Sequence, residues 1–178
     1  YVEELARIKE VLFDKTGTLT EGKLEINEVQ TCDGHDKEEI LKIACSIESK
    51  SKHPIAHTFV QYKKDYSIEL EEVENFESIA GKGLKGDING KTYFIGNKTL
   101  FSQDINLENN GMSTTVIIGT ENEVYGLITL KDKIRDETPS TIANLNAKGI
   151  KTTMITGDNE ATAKLVADEI GLSSYHAD

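Results

Sequence analysis

At 178 residues the chain is long enough for one large or two small domains with real cores, and it carries a formal net charge of -11 at neutral pH. That charge argues against nucleic acid or anionic lipid as a partner and leaves open small phosphorylated ligands, which need only local donors and a few cations. No apolar run approaches the roughly 20 residues of a membrane span and no secretory signal opens the chain, so it reads as soluble. Cys32 and Cys45 are too far apart for a Cys-x-x-Cys site and too few for a disulfide framework, so they read as reduced thiols of a cytosolic protein, Cys45 being a small buried hydrophobe.

Tyr1 to Lys9 has helical composition, with Leu5 and Ile8 three apart, and reads as the end of a longer amphipathic helix. A short buried strand follows at Glu10 to Phe13 and delivers Asp14 to its end; the loop to Thr20 breaks at Gly17, and Glu21-Gly22-Lys23 is a polar exit hinge. Leu24 to Thr31 alternates as an edge strand, and Asp33-Gly34 marks a turn. Asp36 and Glu39 open a helix whose inward face is Ile40, Ile43, Ala44 and Ile47, ending near Ser49. His53-Pro54 opens a second helix to about Lys64, with Ile55, Phe59 and Tyr62 inward; alone, His53 reads as a solvated turn residue or a cap.

From Glu69 onward short β-like runs alternate with turns: Val73 to Ile79, Leu84 to Ile88, Lys91 to Ile95, Thr115 to Gly119 and Val124 to Leu130, with hairpins at Asn89-Gly90 and Glu121-Asn122 and a polar loop at Asn106 to Gly111. Gly81 to Gly86 matches Gly-x-Gly-x-x-Gly, but β-like sequence follows it, so it reads as a glycine turn between strands where a flat ring could approach the backbone. After Leu130 the period changes. Thr138-Pro139 starts a helix with Ile142 and Leu145 inward and Gly149 as its stop, Thr152 to Ile155 is a short buried strand, and Ala161 to Ile170 is a helix closed by Gly171. The pattern is a parallel α/β sheet interrupted by an α+β insertion with an antiparallel sheet and two helices, divided as residues 1–23, 24–130 and 131–178.

The chemistry centres on Asp14. A carboxylate at the carboxyl end of a parallel strand faces the crevice where open α/β sheets bind ligands, and Lys15, Thr16, Gly17 and Thr18 add amides, hydroxyls and one positive charge for phosphoryl oxygens. Such a carboxylate can attack phosphorus and form an aspartyl phosphate. Ile155-Thr156-Gly157-Asp158-Asn159 repeats the logic: a strand end, small and hydroxyl residues, then a helix N-terminus with free amides.

Asp14-Lys-Thr-Gly-Thr-Leu-Thr20 resembles the phosphorylation signature of the P-type transport ATPases, a branch of the haloacid-dehalogenase-like phosphotransferases. The resemblance implies Asp14 as phosphoacceptor, with ATP as donor and Mg²⁺ held partly by the Asp14 carboxylate and the Thr16 carbonyl. It also implies Thr156 on a phosphoryl oxygen, Gly157 in the turn and Asp158 organising the site. Lys131-Asp132-Lys133-Ile134-Arg135 resembles the family's Asp-x-x-Arg hinge, with Asp132 at the hinge and Arg135 on phosphate or ribose; by itself the run is a solvated charge cluster. Many phosphatases of the wider family have an acid/base aspartate where Thr16 stands, and a hydroxyl is a poor general base, so the phosphoaspartate is expected to be long-lived.

Glu48 with His53-Pro54, Gly81 with Gly83, and Gly96-Asn97 resemble, in that order, the nucleotide-binding residues of heavy-metal-transporting P-type ATPases. At Gly111-Met112-Ser113-Thr114 the chain departs from the Gly-Lys-Thr of many relatives. The family pattern continues with a lysine and a Gly-Asp-Gly-x-Asn-Asp loop that do not occur before Asp178, so the expectation is a chain that binds ATP with little or no turnover. The resemblance further implies transmembrane and actuator domains of one parent chain as partners, a place on the cytoplasmic face of a membrane, and a monomer. Its lean is toward cadmium or zinc exporters. Three alternatives stay open: a copper exporter, a free-standing dehalogenase-like phosphatase, and a nucleotide-binding module without chemistry.

Overall fold

The computed structural model describes residues 8–32, 34–103 and 114–177. In chain order the elements are β1 (Glu10–Asp14), β2 (Thr20–Thr31), α1 (Lys37–Glu48), α2 (Ala56–Asp65), β3 (Glu74–Ile79), β4 (Gly83–Ile88), β5 (Lys91–Gly96), β6 (Thr114–Gly119), β7 (Val124–Ile134), α3 (Thr138–Ala147), β8 (Lys151–Ile155), α4 (Glu160–Ile170) and β9 (Ser174–His176). They form two compact units. Among the described residues, 8–23 and 132–177 make one, and 24–103 with 114–131 the other. The segments expected as hinges, Glu21-Gly22-Lys23 and Lys131-Asp132-Lys133, lie within β2 and β7, and Lys133 Nζ donates to Glu21 Oε1 at 2.6 Å.

The first unit is a parallel three-stranded sheet in the order β1-β8-β9. Phe13 and Met154, opposite each other across β1 and β8, pack with Ile142 of α3 and Ala163 and Ile170 of α4. Pro139 stands in the first turn of α3, where its missing N–H costs nothing, and Gly171 closes α4 at φ 73°. The expectation of a buried strand holds in β8, where Thr152, Thr153 and Met154 are all buried, and is corrected for β1, which alternates: Leu12 is 58 % exposed, because the packed apolar cluster takes the Phe13 face of that strand. Strand β9 escapes sequence reading because Ser174-Tyr175-His176 has no apolar run, and it is held by its pairing with β8 and by Tyr175 packed against the apolar cluster.

The second unit is a six-stranded sheet in the order β2-β7-β6-β5-β4-β3, antiparallel from β7 through β3, with β2 at its edge. Ile40, Ala44 and Ile47 of α1 and Phe59 of α2 pack on Ile95, Ile118 and Ile128 of the sheet. The opposite face carries a smaller cluster of Phe101, Ile117 and Val124. Asp36 caps α1 by accepting from the amides of Glu38 and Glu39. Asn89 and Gly90, at φ 52° and 76°, make the tight turn between β4 and β5.

Helix α2 starts at Ala56, two residues later than expected from His53-Pro54. The Ile55 amide is taken at 3.3 Å by His53 Nδ1, and a turn closed by Ala56 N to His53 O at 2.9 Å precedes the helix proper. Tyr1 to Arg7, the Asn106 to Gly111 loop, Asp33 and the Gly111-Met112-Ser113 departure lie outside the described residues. No helix among the described residues is long and apolar enough to cross a membrane.

Candidate active site

Parallel register places Asp14 beside Ile155, so the loops leaving β1 and β8 start from the same edge of the sheet. Asp14 is exposed there, and Thr156, Gly157 and Asp158 leave the neighbouring strand end. The five-residue turn Lys15–Leu19 is wound around non-helical Thr16 and around Gly17 at φ 80°, a conformation glycine adopts without strain.

Lys15 is engaged by its surroundings: its side chain is buried and its Nζ lies 2.6 Å from Asp158 Oδ2 and 4.0 Å from Asp132 Oδ2, so its charge is paired within the loop. Arg135 Nε donates to Thr18 O at 3.1 Å and Nη2 to Gly17 O at 2.9 Å, so the guanidinium clamps the Asp14 loop. Asp132 ties the strand to that loop, receiving the Thr20 hydroxyl at 2.8 Å, while its buried Oδ1 has no hydrogen-bond partner among the described residues. Thr156 Oγ1 accepts from the Asp158 amide at 3.2 Å, and Asn159 Oδ1 caps α4 on the Thr162 amide.

The second unit assembles the other predicted residues. Glu48, the last residue of α1, is 5 % exposed and burial pushes its carboxyl up to about 7; its Oε2 has no hydrogen-bond partner among the described residues. A chain of bonds leads from it to His53: Ser51 N donates to Glu48 O at 2.9 Å, and His53 N to Ser51 Oγ at 3.1 Å. With Nδ1 accepting from Ile55, the neutral ring of exposed His53 carries its proton on Nε2.

Gly81, Gly83, Gly96 and Asn97 meet where β4 begins and β5 ends. Gly83 pairs with Gly96, and Asn97 Nδ2 donates to Gly81 O at 2.9 Å. Of the three glycines, Gly81 alone has open space where a side chain would start. A Cβ on Gly83 would lie 2.2 Å from Ile95 O, and one on Gly96 2.2 Å from Lys82 O, so the close approach of the strands requires glycine at both positions.

The direction of α1 relates the two groups. Glu39 and Ile43 of α1 line one cleft with Ile88, Asn89 and Lys91, and a Cβ on Gly86 would lie 3.6 Å from Ile47 Cγ1, so α1 runs antiparallel to β4. From Glu39 to Glu48 a helix rises about 13 Å, and from Ile88 to Gly83 a strand covers about 17 Å. The carboxyl end of α1, with Ile47 over Gly86, is therefore directed toward the Gly83 and Gly96 end of the sheet.

A family described as haloacid dehalogenase-like hydrolase matches residues 8–178. The chain belongs to the haloacid dehalogenase-like hydrolases. It is 41 % identical to a copper-exporting P-type ATPase B of Archaeoglobus fulgidus over 99 % of this chain and 26 % of that protein. It is 36 % identical to a cadmium-transporting ATPase of Staphylococcus aureus over 100 % of this chain and 27 % of that protein. Among solved structures, a zinc-transporting PIB-type ATPase in an E2.Pi state matches at 31 % identity and TM-score 0.85, over 99 % of this chain and 30 % of that one. The catalytic domain of a CPx-ATPase, studied for conformational changes upon nucleotide binding, matches at 25 % identity and TM-score 0.68, over 99 % of this chain and 65 % of that one. The chain thus spans about a quarter of the length of the curated relatives it matches, and those relatives are heavy-metal P-type ATPases.

In this haloacid dehalogenase-like loop the residue that sequence reasoning passed over is Thr20. Its hydroxyl, fully buried, sits 2.8 Å from Asp132 Oδ2 and 3.1 Å from Lys15 O, and accepts from the Gly17 amide at 3.3 Å. The signal for it was its place at the end of the seven-residue signature. Thr20→Val keeps the shape and leaves those polar groups unpaired, so this unit should lose about 1 to 3 kcal/mol in urea unfolding followed by the amide signals of β1 and β8. An unchanged midpoint would show that the hydroxyl is not holding the loop.

Proposed function

We propose that this chain is the ATP-binding and phosphorylation region of a heavy-metal-translocating P-type ATPase, working on the cytoplasmic face of a membrane beside transmembrane and actuator domains of the same parent chain. Residues 24–130 act as the nucleotide-binding domain, and residues 1–23 and 131–178 as the phosphorylation domain. The observation that carries the reading is exposed Asp14 at the carboxyl end of β1, in register with the strand that leads into Thr156-Gly157-Asp158.

An Asp14 oxygen attacks the γ-phosphorus of ATP, the bond from that phosphorus to the β,γ-bridging oxygen breaks, and ADP leaves with the electron pair. Thr156 and Gly157 border the transferred group, while Lys15, Asp132 and Arg135 hold the Asp14 loop in shape. Thr16, with no accessible pKa near neutrality, does not activate water, so the phosphoaspartate persists. Mg²⁺ is ordinarily held by one or two carboxylates, phosphate oxygens and water. Asp14 and the Thr16 carbonyl fit as its protein ligands, and no group of three or more His, Cys, Asp or Glu able to hold a metal lies among the described residues. When bound, the ion neutralises charge on the phosphates. Copper- and cadmium-named relatives match the chain over nearly its whole length, which supports placing the choice of cargo cation outside this region.

The nucleotide base goes to Glu48, His53, Gly81 and Asn97, with Gly83 and Gly96 shaping the strands beneath. His53 stacks on adenine and offers Nε2–H. One lost stacking or hydrogen-bond contact is worth about 1 to 2 kcal/mol, so His53→Gln should weaken ATP binding about five- to thirty-fold without unfolding the unit. Amide shifts during an ATP titration test this: perturbations confined to Asp14 and Asp158, with none near His53 or Gly81, would put the nucleotide in the wrong unit.

A further inference from the structure

Resting on the assignment of the base to Glu48, we propose that Glu48 reads adenine as a neutral carboxylic acid, its O–H donating to adenine N1 and its carbonyl oxygen accepting from the exocyclic amine. Three observations carry this. Glu48 is 5 % exposed, its Oε2 has no hydrogen-bond partner among the described residues, and it forms none of their ion pairs. An ionised carboxylate in such a place is strongly disfavoured, whereas the neutral acid needs one donor and one acceptor opposite it. Adenine presents that pair on its Watson–Crick edge: N1 accepts and the amine donates.

No neighbouring charge, Lys50, Lys52 and His53 of the following loop included, is among the causes acting on the Glu48 carboxyl. Cys45 is the titratable group one turn back on α1; its buried thiol, pushed up to about 12 by burial and then by Glu48, is neutral and donates to Phe59 O at 3.6 Å. From α2, Lys63 lowers the Cys45 thiol but is not among the causes acting on Glu48, and Tyr62 is itself pushed up by burial. From β4 the core-facing residues are Leu84, Gly86 and Ile88, none titratable. From β5 they are Tyr93 and Ile95, with Lys91 engaged on the Tyr125 hydroxyl. Burial alone moves the Glu48 carboxyl, up to about 7, which brings its titration into the physiological range.

The protonation state then sets the preferred base. The neutral acid complements adenine. The carboxylate, an acceptor only, complements the N1–H and exocyclic amine of guanine. As pH rises through 7 the protein should bind adenine nucleotides less tightly and discriminate less against guanine nucleotides.

The test is titration of ATP and of GTP into this chain and into Glu48→Gln between pH 6 and pH 8.5. The glutamine amide carries a fixed donor and acceptor and does not titrate. Ionisation of the triphosphate and of imidazoles is common to both proteins and drops out of their ratio. The expected result is a ratio of wild-type to Glu48→Gln ATP affinity that falls about tenfold across the range, with a shrinking ATP-to-GTP preference in the wild type only. The ¹³C signal of the Glu48 carboxyl should report the neutral acid at pH 6. A flat ratio, or a carboxylate signal at pH 6, overturns the proposal even where ATP shifts the amides of His53 and Gly81. If ATP leaves those amides unmoved in both proteins, the nucleotide assignment itself fails and this inference falls with it.

Discussion

In a full-length P-type ATPase carrying this chain, replacing Asp14 by asparagine should abolish the acid-stable, hydroxylamine-sensitive label expected from γ-labelled ATP. The carboxamide has no anionic oxygen to attack phosphorus, so the loss is complete rather than graded. Misfolding would not account for it. Asp14 is exposed, and β1 is held in place by its backbone pairing with β8 and by Phe13 against Met154, neither of which involves the Asp14 side chain. The loop is kept in shape by Lys15, Thr20 and Arg135. Asp14→Asn should therefore leave the fold and the ATP-induced shifts near His53 intact. Label that persists in the variant places the phosphoacceptor elsewhere.

The second large effect is expected at Gly83. An alanine Cβ there would lie 2.2 Å from Ile95 O and 2.7 Å from Gly96 Cα, both backbone atoms of the paired strand, at a backbone φ of 150° that only glycine adopts without strain. Backbone strain and overpacking each cost about 1 to 3 kcal/mol. Gly83→Ala should thus destabilise the antiparallel unit by about 2 to 6 kcal/mol and weaken ATP binding by prising β4 from β5 beside Gly81 and Asn97. Gly90→Ala is the matched control: its φ is 76° but nothing lies within 4 Å of the added carbon, so it bears backbone strain alone, about 1 kcal/mol. Urea unfolding followed by the amides of β4 and β5 measures both. Equal losses at the two positions would mean that the close strand approach at Gly83 contributes nothing.

How much of this was legible in the chain depended on whether the signal was contiguous. The Asp14 signature, the Asp36 cap, the Asn89-Gly90 turn and the Gly171 stop each lie within a few neighbouring residues, and local backbone chemistry is enough to place them. The antiparallel insertion followed from alternation and turn residues, and the buried face of α1 from its period. Sequence alone therefore determined which residues form most of the elements and that two sheets of different kind share one chain.

Only the tertiary structure decided what the side chains do once those elements meet. Thr20 and Asp132 are 112 positions apart, and Arg135 reaches Gly17 across 118, contacts that exist only because both segments return to the same loop. Lys15 looked free to meet a phosphoryl group until Asp158 came within 2.6 Å of it. That Gly83 and Gly96 stand opposite each other, each too close to the other strand for a side chain, is decided by the β4–β5 register. Glu48 carries no mark in the sequence of its missing countercharge. The packing of α1 on the sheet leaves its carboxyl buried and uncompensated, and that moves its titration toward neutrality.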